Sequence, residues 1–260
     1  MGDAAGVALR EILAPNAGPL TLDGTRTYVV GRRRVVVIDP GPAARAHLDA
    51  VAAAVGAARV TAVAVTHDHP DHAAGGEALA GRLGAPLRAA AAGTLADGDA
   101  LETDAGALIA VATPGHTPDH VAFHWPAGGA VFVGDLLLGG LDTALVAPPE
   151  GDLGAYLASL ARVRALGARV LYPAHGPAFT DAGAALDAYV RHRQDRERQV
   201  LAALEAGAAR AGELVDAVYG PGLAAGLRGA AEGAVVAYLE HLAAAGRVVR
   251  EADGRWRLAG

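Results

Sequence analysis

The chain has 260 residues, a formal net charge of −6, ten histidines and no cysteine. With 52% hydrophobic and 19% charged residues the composition is globular, and the length suits one large domain, or one with a small appendage. Disulfides, thiolate metal sites and a cysteine nucleophile are excluded, and the acidic balance argues against a protein that coats nucleic acid. Lysine is absent, so every basic residue is Arg; with the heavy Ala and Gly usage this reads as coding bias. Residues 1–10 lack a basic start followed by an apolar core. The longest Ala/Val-rich stretch, 50–65, is broken by Gly56, Arg59 and Thr61 and falls short of the roughly 20 apolar residues of a spanning helix. No membrane association and a cytoplasmic setting are expected.

Thr27–Val30 and Arg34–Asp39, joined by a Gly-containing turn, read as a hairpin, and Ala43–Val55 as a helix started by Pro42. The β-branched run Val60–Thr66 predicts a buried strand and Ala73–Leu83 a helix. Ala107–Thr113, Val121–Trp125 and Ala130–Gly134 are further strands. Leu153–Leu166 carries apolar residues at helical spacing, and Val170–Tyr172 is a short last strand. This alternation predicts an α/β fold with mixed sheets. From Ala182 to Leu204 one long helix carries the charge run Arg191–Arg198, read as a solvated face with i,i+4 pairs. Helices over Gly212–Tyr219 and Glu232–Ala245 follow, then a hairpin of Arg247–Glu251 and Arg255–Leu258 around Asp253-Gly254. Helices followed by a two-stranded wing look like a winged-helix module; with Arg and acids balanced, a packing role is favoured over DNA binding. The expected division is 1–186 catalytic and 187–260 a winged-helix-like tail.

Chemistry concentrates after the strand Val60–Thr66, in Thr66-His67-Asp68-His69-Pro70-Asp71-His72. Alternate residues of an extended segment share a face, so His67 and His69 can converge on one ion. Asp71 and His72 lie one turn on, past Pro70, within reach of a neighbouring ion. Neutral imidazole and carboxylate are good zinc ligands, and a catalytic site needs no thiolate. Three more candidates stand at strand ends: His116 in Thr113–His120, Asp135 after Gly134, and His175 in Tyr172–Pro177. A carboxylate ending an apolar run is costly to bury without a cation, and Asp135 can bridge two ions with its two oxygens.

The series HxHxDH…H…D…H resembles the metallo-β-lactamase superfamily, an αββα sandwich with a dinuclear metal site. The resemblance implies His67, His69 and His116 as ligands of one ion, Asp71, His72 and His175 of the second, and Asp135 as the bridge. It also implies two Zn2+ ions, with Mn2+ or iron as alternatives, and a bridging water activated as hydroxide. Asp71 would orient that water or accept its proton, and His120 resembles an orienting or proton-donating histidine seen after the motif. A narrower resemblance spans almost the whole chain: Leu13–Gly31 (LAPNAGPLTLDGTRTYVVG), Thr113–His120, Tyr172–Pro177 and the tail look like the lactamase-beta-2-like branch. That branch includes a single-strand endoribonuclease and polyketide-type thioesterases. Arg26 stands where it usually has Asn, near the expected site rim.

The resemblance thus implies a hydrolase of small thioesters, esters or lactones, with β-lactams at best a side activity. One alternative is single-strand RNA cleavage, with Arg191, Arg193, Arg196 and Arg198 gripping phosphate; another is a non-enzymatic winged-helix regulator. A homodimer is compatible with either. Asp39 reads as a structural residue near a sheet edge and Asp68 as a loop brace. His47, His124, His192 and His241 belong to no motif.

Overall fold

β-branched runs separated by glycine turns build two sheets, and the computed structural model describes residues 8–140, 143–207 and 209–260. Residues 1–7 of the segment read above as lacking a leader lie outside that range. In chain order come β1 (Leu9–Leu13), β2 (Arg26–Val30), β3 (Arg34–Ile38), α1 (Arg45–Val55), β4 (Arg59–Ala64), α2 (Pro70–Ala73), α3 (Gly76–Leu83) and β5 (Leu87–Arg88). Next are β6 (Ala100–Leu101), β7 (Leu108–Ala112), β8 (Val121–Trp125), β9 (Ala130–Gly134), α4 (Leu153–Ala165), β10 (Val170–Pro173) and α5 (Ala182–Leu204). The tail holds α6 (Ala211–Tyr219), α7 (Arg228–Ala244), β11 (Val248–Arg250) and β12 (Trp256–Leu258).

The first sheet runs β1-β2-β3-β4-β5 and the second β10-β9-β8-β7-β6. Both are mixed: β3, β4 and β5 pair in parallel, as do β9 and β10, and the other pairs are antiparallel. The expected α/β sandwich is present. Three strands, β1 and the two-residue β5 and β6, were not anticipated, and the helix expected over Ala73–Leu83 is split, leaving Asp71 and His72 on the single turn α2. Pro70 opens that turn, where its missing N–H costs nothing.

Each sheet buries both faces, which explains its near-continuous apolar runs. Tyr28, Ile38, Ala64, Phe123 and Phe132 lie in the core between the sheets. Val37, Val63 and Val51 lie between the first sheet and α1 and α3. The Tyr28 hydroxyl donates to Pro173 O at 2.7 Å, tying β2 to β10 just before His175. A third cluster joins the outer face of the second sheet to α4, α5 and the tail, from Val131 and Tyr156 through Leu186 to Tyr238 and Trp256. The tail is thus packed onto the sandwich by a shared apolar layer, with α5 in contact with both α4 and the tail helices. Among the described residues no helix is long and apolar enough to cross a membrane.

One contact of α5 bears directly on the site. The Tyr189 hydroxyl accepts from Leu138 N–H and donates to Leu138 C=O, at 2.8 and 2.7 Å, three residues past Asp135. Tyr189→Phe leaves both buried backbone groups without this partner, so a loss of about 1–3 kcal/mol in urea-unfolding free energy is expected.

Candidate metal centre

The seven side chains HxHxDH…H…D…H come together at one end of the sandwich. His67 and His69 follow β4, and Asp71 and His72 lie on α2. His116 lies between β7 and β8, Asp135 directly after β9 and His175 directly after β10. Both sheets therefore contribute. His67 Nε2 lies 2.9 Å from His69 Nδ1, which lies 3.1 Å from His116 Nε2. On the other side, His175 Nε2 is 3.2 Å from Asp71 Oδ2 and 3.3 Å from Asp135 Oδ1, and His72 Nε2 is 3.4 and 3.5 Å from the same two oxygens. The second Asp135 oxygen is 3.8 Å from His116 Nε2, so one carboxylate spans the two groups.

The spacing suits cations. Donors about 2.0–2.1 Å from a tetrahedral ion sit roughly 3.3 Å from one another. His72 Nε2, Asp135 Oδ1 and His175 Nε2 are buried without a hydrogen-bond partner. Three such atoms facing each other are costly unless a cation satisfies them. Three overlapping trios have ligand atoms within 4.8 Å of one another: His67–His69–His116, His67–His72–Asp135 and Asp71–His72–His175.

The far nitrogen of each imidazole is also held. His116 Nδ1 donates to Leu145 O at 2.7 Å, His175 Nδ1 to Gly24 O at 3.2 Å, and His69 Nε2 faces Glu150 at 3.0 Å. His72 Nδ1 donates to Asp39 Oδ2 at 3.1 Å. His67 Nδ1 donates to Thr66 Oγ1, whose hydroxyl donates to the same Asp39 oxygen at 2.9 Å, while Asp39 Oδ1 accepts Thr66 N–H at 2.8 Å. These partners set tautomer and ring orientation. Asp39 is 1% exposed and adopts a left-handed φ of 50°, and β3 is the middle strand, not an edge. The structural role expected of it is more specific: it positions imidazoles from both groups. Only its place after an apolar strand signalled this. Thr66, Leu145 O, Gly24 O and Glu150 carried no signal in the sequence.

His120 is fully buried. Its Nε2 accepts Asp135 N–H at 3.1 Å, leaving Nδ1 to donate to Thr113 Oγ1 at 2.8 Å. Burial, and next to it His116, pushes its pKa down to about 3, so it stays neutral. Gly134, just before Asp135, has φ +50°, and a Cβ there would lie 2.7 Å from His120 Nε2 and 2.9 Å from Thr66 Cβ, so only glycine lets β9 end this close.

Arg26 is 7% exposed; it forms a fork with Asp23 at 2.7 and 2.9 Å and reaches Glu11 at 2.8 Å. Asp23 also accepts Gly176 N–H, so Arg26 orders the His175 loop. That hydrogen bond from Arg26 holds the Asp23 carboxyl down at about 2. Asp68, expected to brace a loop, is exposed and has no hydrogen-bond partner among the described residues. His47 is a core residue, its Nε2 2.8 Å from Thr27 Oγ1. The solvated-face reading of Arg191–Arg198 fails at Arg193, which is 5% exposed because α5 is covered there by the 143–146 segment and the tail.

Burial alone would lower the pKa of His175, but the Asp135 and Asp71 carboxylates beside it outweigh burial and push it up to about 9. His72 is likewise raised against burial, by Asp135 and Asp39, whereas burial holds His67 and His116 low. A divalent ion must displace the protons on His72 and His175. Apparent Zn2+ affinity, measured by competition with a chelator, is therefore expected to fall as pH drops from about 9 to 6, by about tenfold per unit for each proton displaced. Asp39→Ala, read by the same titration, is expected to weaken metal binding by about 10–100-fold.

The sequence matches the metallo-beta-lactamase superfamily over residues 20–102 and 93–175, and the beta-lactamase associated winged helix domain over 211–256. Lactamase-like protein adaB of Aspergillus niger is 32% identical over 81% of this chain and 72% of its own length. An atrochrysone carboxyl ACP thioesterase of Aspergillus fumigatus is also 32% identical, over 81% and 73%. Among solved structures, a metallo-beta-lactamase family protein from Thermus thermophilus is 25% identical, covering 96% of this chain and 98% of its own, with a TM-score of 0.78. TTHA1623, solved in a di-iron-bound form, is 30% identical over 66% of this chain and 94% of its own, with a TM-score of 0.52. With this fold, this ligand-bearing end and these relatives, the chain belongs to the metallo-beta-lactamase superfamily, as a metal-dependent hydrolase carrying the associated winged helix.

Proposed function

We propose that the protein is a dinuclear hydrolase of small thioesters, with esters and lactones as related substrates. His67, His69 and His116 would hold one divalent ion and Asp71, His72 and His175 the other, with the Asp135 carboxylate within reach of both groups. Zinc suits this donor set; iron is the alternative, which the di-iron form of TTHA1623 supports. Two ions bound there would supply Lewis acidity and an activated water. Residues 1–186 form the catalytic unit and 187–260 the tail.

Asp71 is the more open of the two carboxylates, its side chain 27% exposed against 11% for Asp135. It would orient the attacking water or accept its proton, and the Thr25 hydroxyl, donating to Asp71 Oδ2 at 3.3 Å, holds the carboxylate in place. His120 is a positioning residue: it fixes the Asp135 backbone and has no free nitrogen to lend.

The observation that carries the substrate class is that the outward nitrogen of each imidazole is already held, so that with both ions bound no histidine would be left as a general acid for the leaving group. A thiol, with a pKa of about 8.5, departs as the anion without help; an alcohol does so far less readily. The relative named as an ACP thioesterase supports the same class. RNA cleavage would need a continuous cationic track. The Arg191–Arg198 run is not one: Arg193 is buried and Arg198 pairs with Asp195.

Metal analysis of purified protein is expected to find close to two ions per chain, and Asp135→Ala to lose metal and thioester turnover together. Cleavage of labelled single-stranded RNA faster than any of a panel of acyl thioesters would overturn the substrate assignment. A folded protein that binds no metal after reconstitution with zinc, manganese or iron would overturn the centre itself.

A further inference from the structure

A groove of about 310 Å³ lies between the Thr143–Val146 segment, α5 and the first turns of α7, a volume in the range of small-molecule sites. One lining residue touches the metal-ligating cluster, and a second belongs to a loop that does so further along. Leu145 lines the groove and gives its carbonyl to His116 Nδ1. Leu20 lines it from the β1–β2 loop, whose Gly24 O accepts from His175 and whose Thr25 hydroxyl reaches Asp71.

The lining is apolar apart from Thr143, His192, Arg193, Arg196 and the Tyr219 hydroxyl, and no carboxylate is among the described residues that form it. Arg193 is 5% exposed; one of its Nη atoms donates to Ala144 O, its Cζ stacks 4.7 Å above the Tyr156 ring, and its Nε has no partner. Arg196 stacks 4.3 Å over Tyr219 and donates to Gln199 and Val218 O. Neither guanidinium has a carboxylate partner among the described residues. The neighbouring acids on α5 are taken, Asp195 by Arg198 and Glu197 by Arg247. A buried cation without a counter-charge is expensive, and α5 places one, Arg193, on this apolar groove, with the half-buried Arg196 one turn further on.

We propose that this groove binds the non-reacting arm of the substrate, an apolar body ending in a carboxylate or phosphate that Arg193 and Arg196 receive. This rests on the hydrolase reading above and adds to it that the tail is one wall of the substrate site. Planar guanidinium groups suit either oxyanion, and Tyr219 and the α7 alanines suit the body.

Calorimetric titration of the metal-loaded full chain with octanoate, octyl phosphate and octanol tests it. At least one of the two anions is expected to bind at least tenfold more tightly than octanol, and the tighter of them names the oxyanion. Arg196→Met is expected to weaken that anion at least fivefold and leave octanol unchanged. Ala230→Trp, at a half-buried lining position, is expected to weaken all three. Octanol binding as tightly as the anions, or anion binding untouched by either substitution in a folded variant, would overturn the proposal. An anion seated on the metal centre gives that second outcome. Binding is read without turnover, so failure to hydrolyse any thioester would sink the functional reading and leave this result legible.

Discussion

Everything in this molecule turns on holding two carboxylates and five imidazoles in contact at one end of a sandwich. Asp135 and His175 are buried, and atoms of both face each other without a hydrogen-bond partner. Such a cluster is unfavourable by itself: burial opposes the charge on Asp135, and only His72 and His175 keep its carboxyl well below the usual range. The fold imposes the arrangement by ending β4, β7, β9 and β10 at the same edge, so that each loop delivers its donor at a few ångströms. A divalent cation bound there would convert that imposed cost into a reason for the two sheets to stay together, because the candidate ligands come from both.

The support behind the donors is as ordered as the donors. Asp39 collects Thr66 N–H, the Thr66 hydroxyl and His72 Nδ1, and through Thr66 it also fixes His67. One buried carboxylate thereby couples both halves of the cluster. The left-handed backbone at Asp39 is a local strain that the surrounding hydrogen bonds over-determine. Arg26 and Asp23 do the corresponding work for the His175 loop.

The tail belongs to the same construction. α5 leaves the sandwich and packs against α6 and α7 of the winged helix, carrying Tyr189 to the loop after Asp135 and Arg193 to the segment whose Leu145 holds His116. The apolar layer from Val131 to Trp256 leaves no seam between the units. A non-enzymatic regulator built around a decayed metal domain does not fit a cluster this complete in a member of a hydrolase family.

The sequence by itself determined the fold class, most of the strands and helices, and the seven side chains that come together at one end of the sandwich, because HxHxDH, the strand-end Asp135 and the Pro- and Gly-flanked His116 and His175 are local signals with chemical meaning. It left β5 and β6 unseen, since two-residue strands take their identity from the partner they pair with, and β1, whose partly exposed LREIL has no β-branched apolar run, and it missed the break between α2 and α3. It also read Arg193 as solvated, because helical spacing says which residues share a face but not what covers that face. Only the tertiary structure decided the positioning of the donors. Asp39 lies 33 residues from His72, and Gly24 lies 151 from His175, and no periodicity encodes such pairings. Ligand identity is written in residue type and spacing; ligand orientation depends on hydrogen bonds between segments that meet only when two sheets pack.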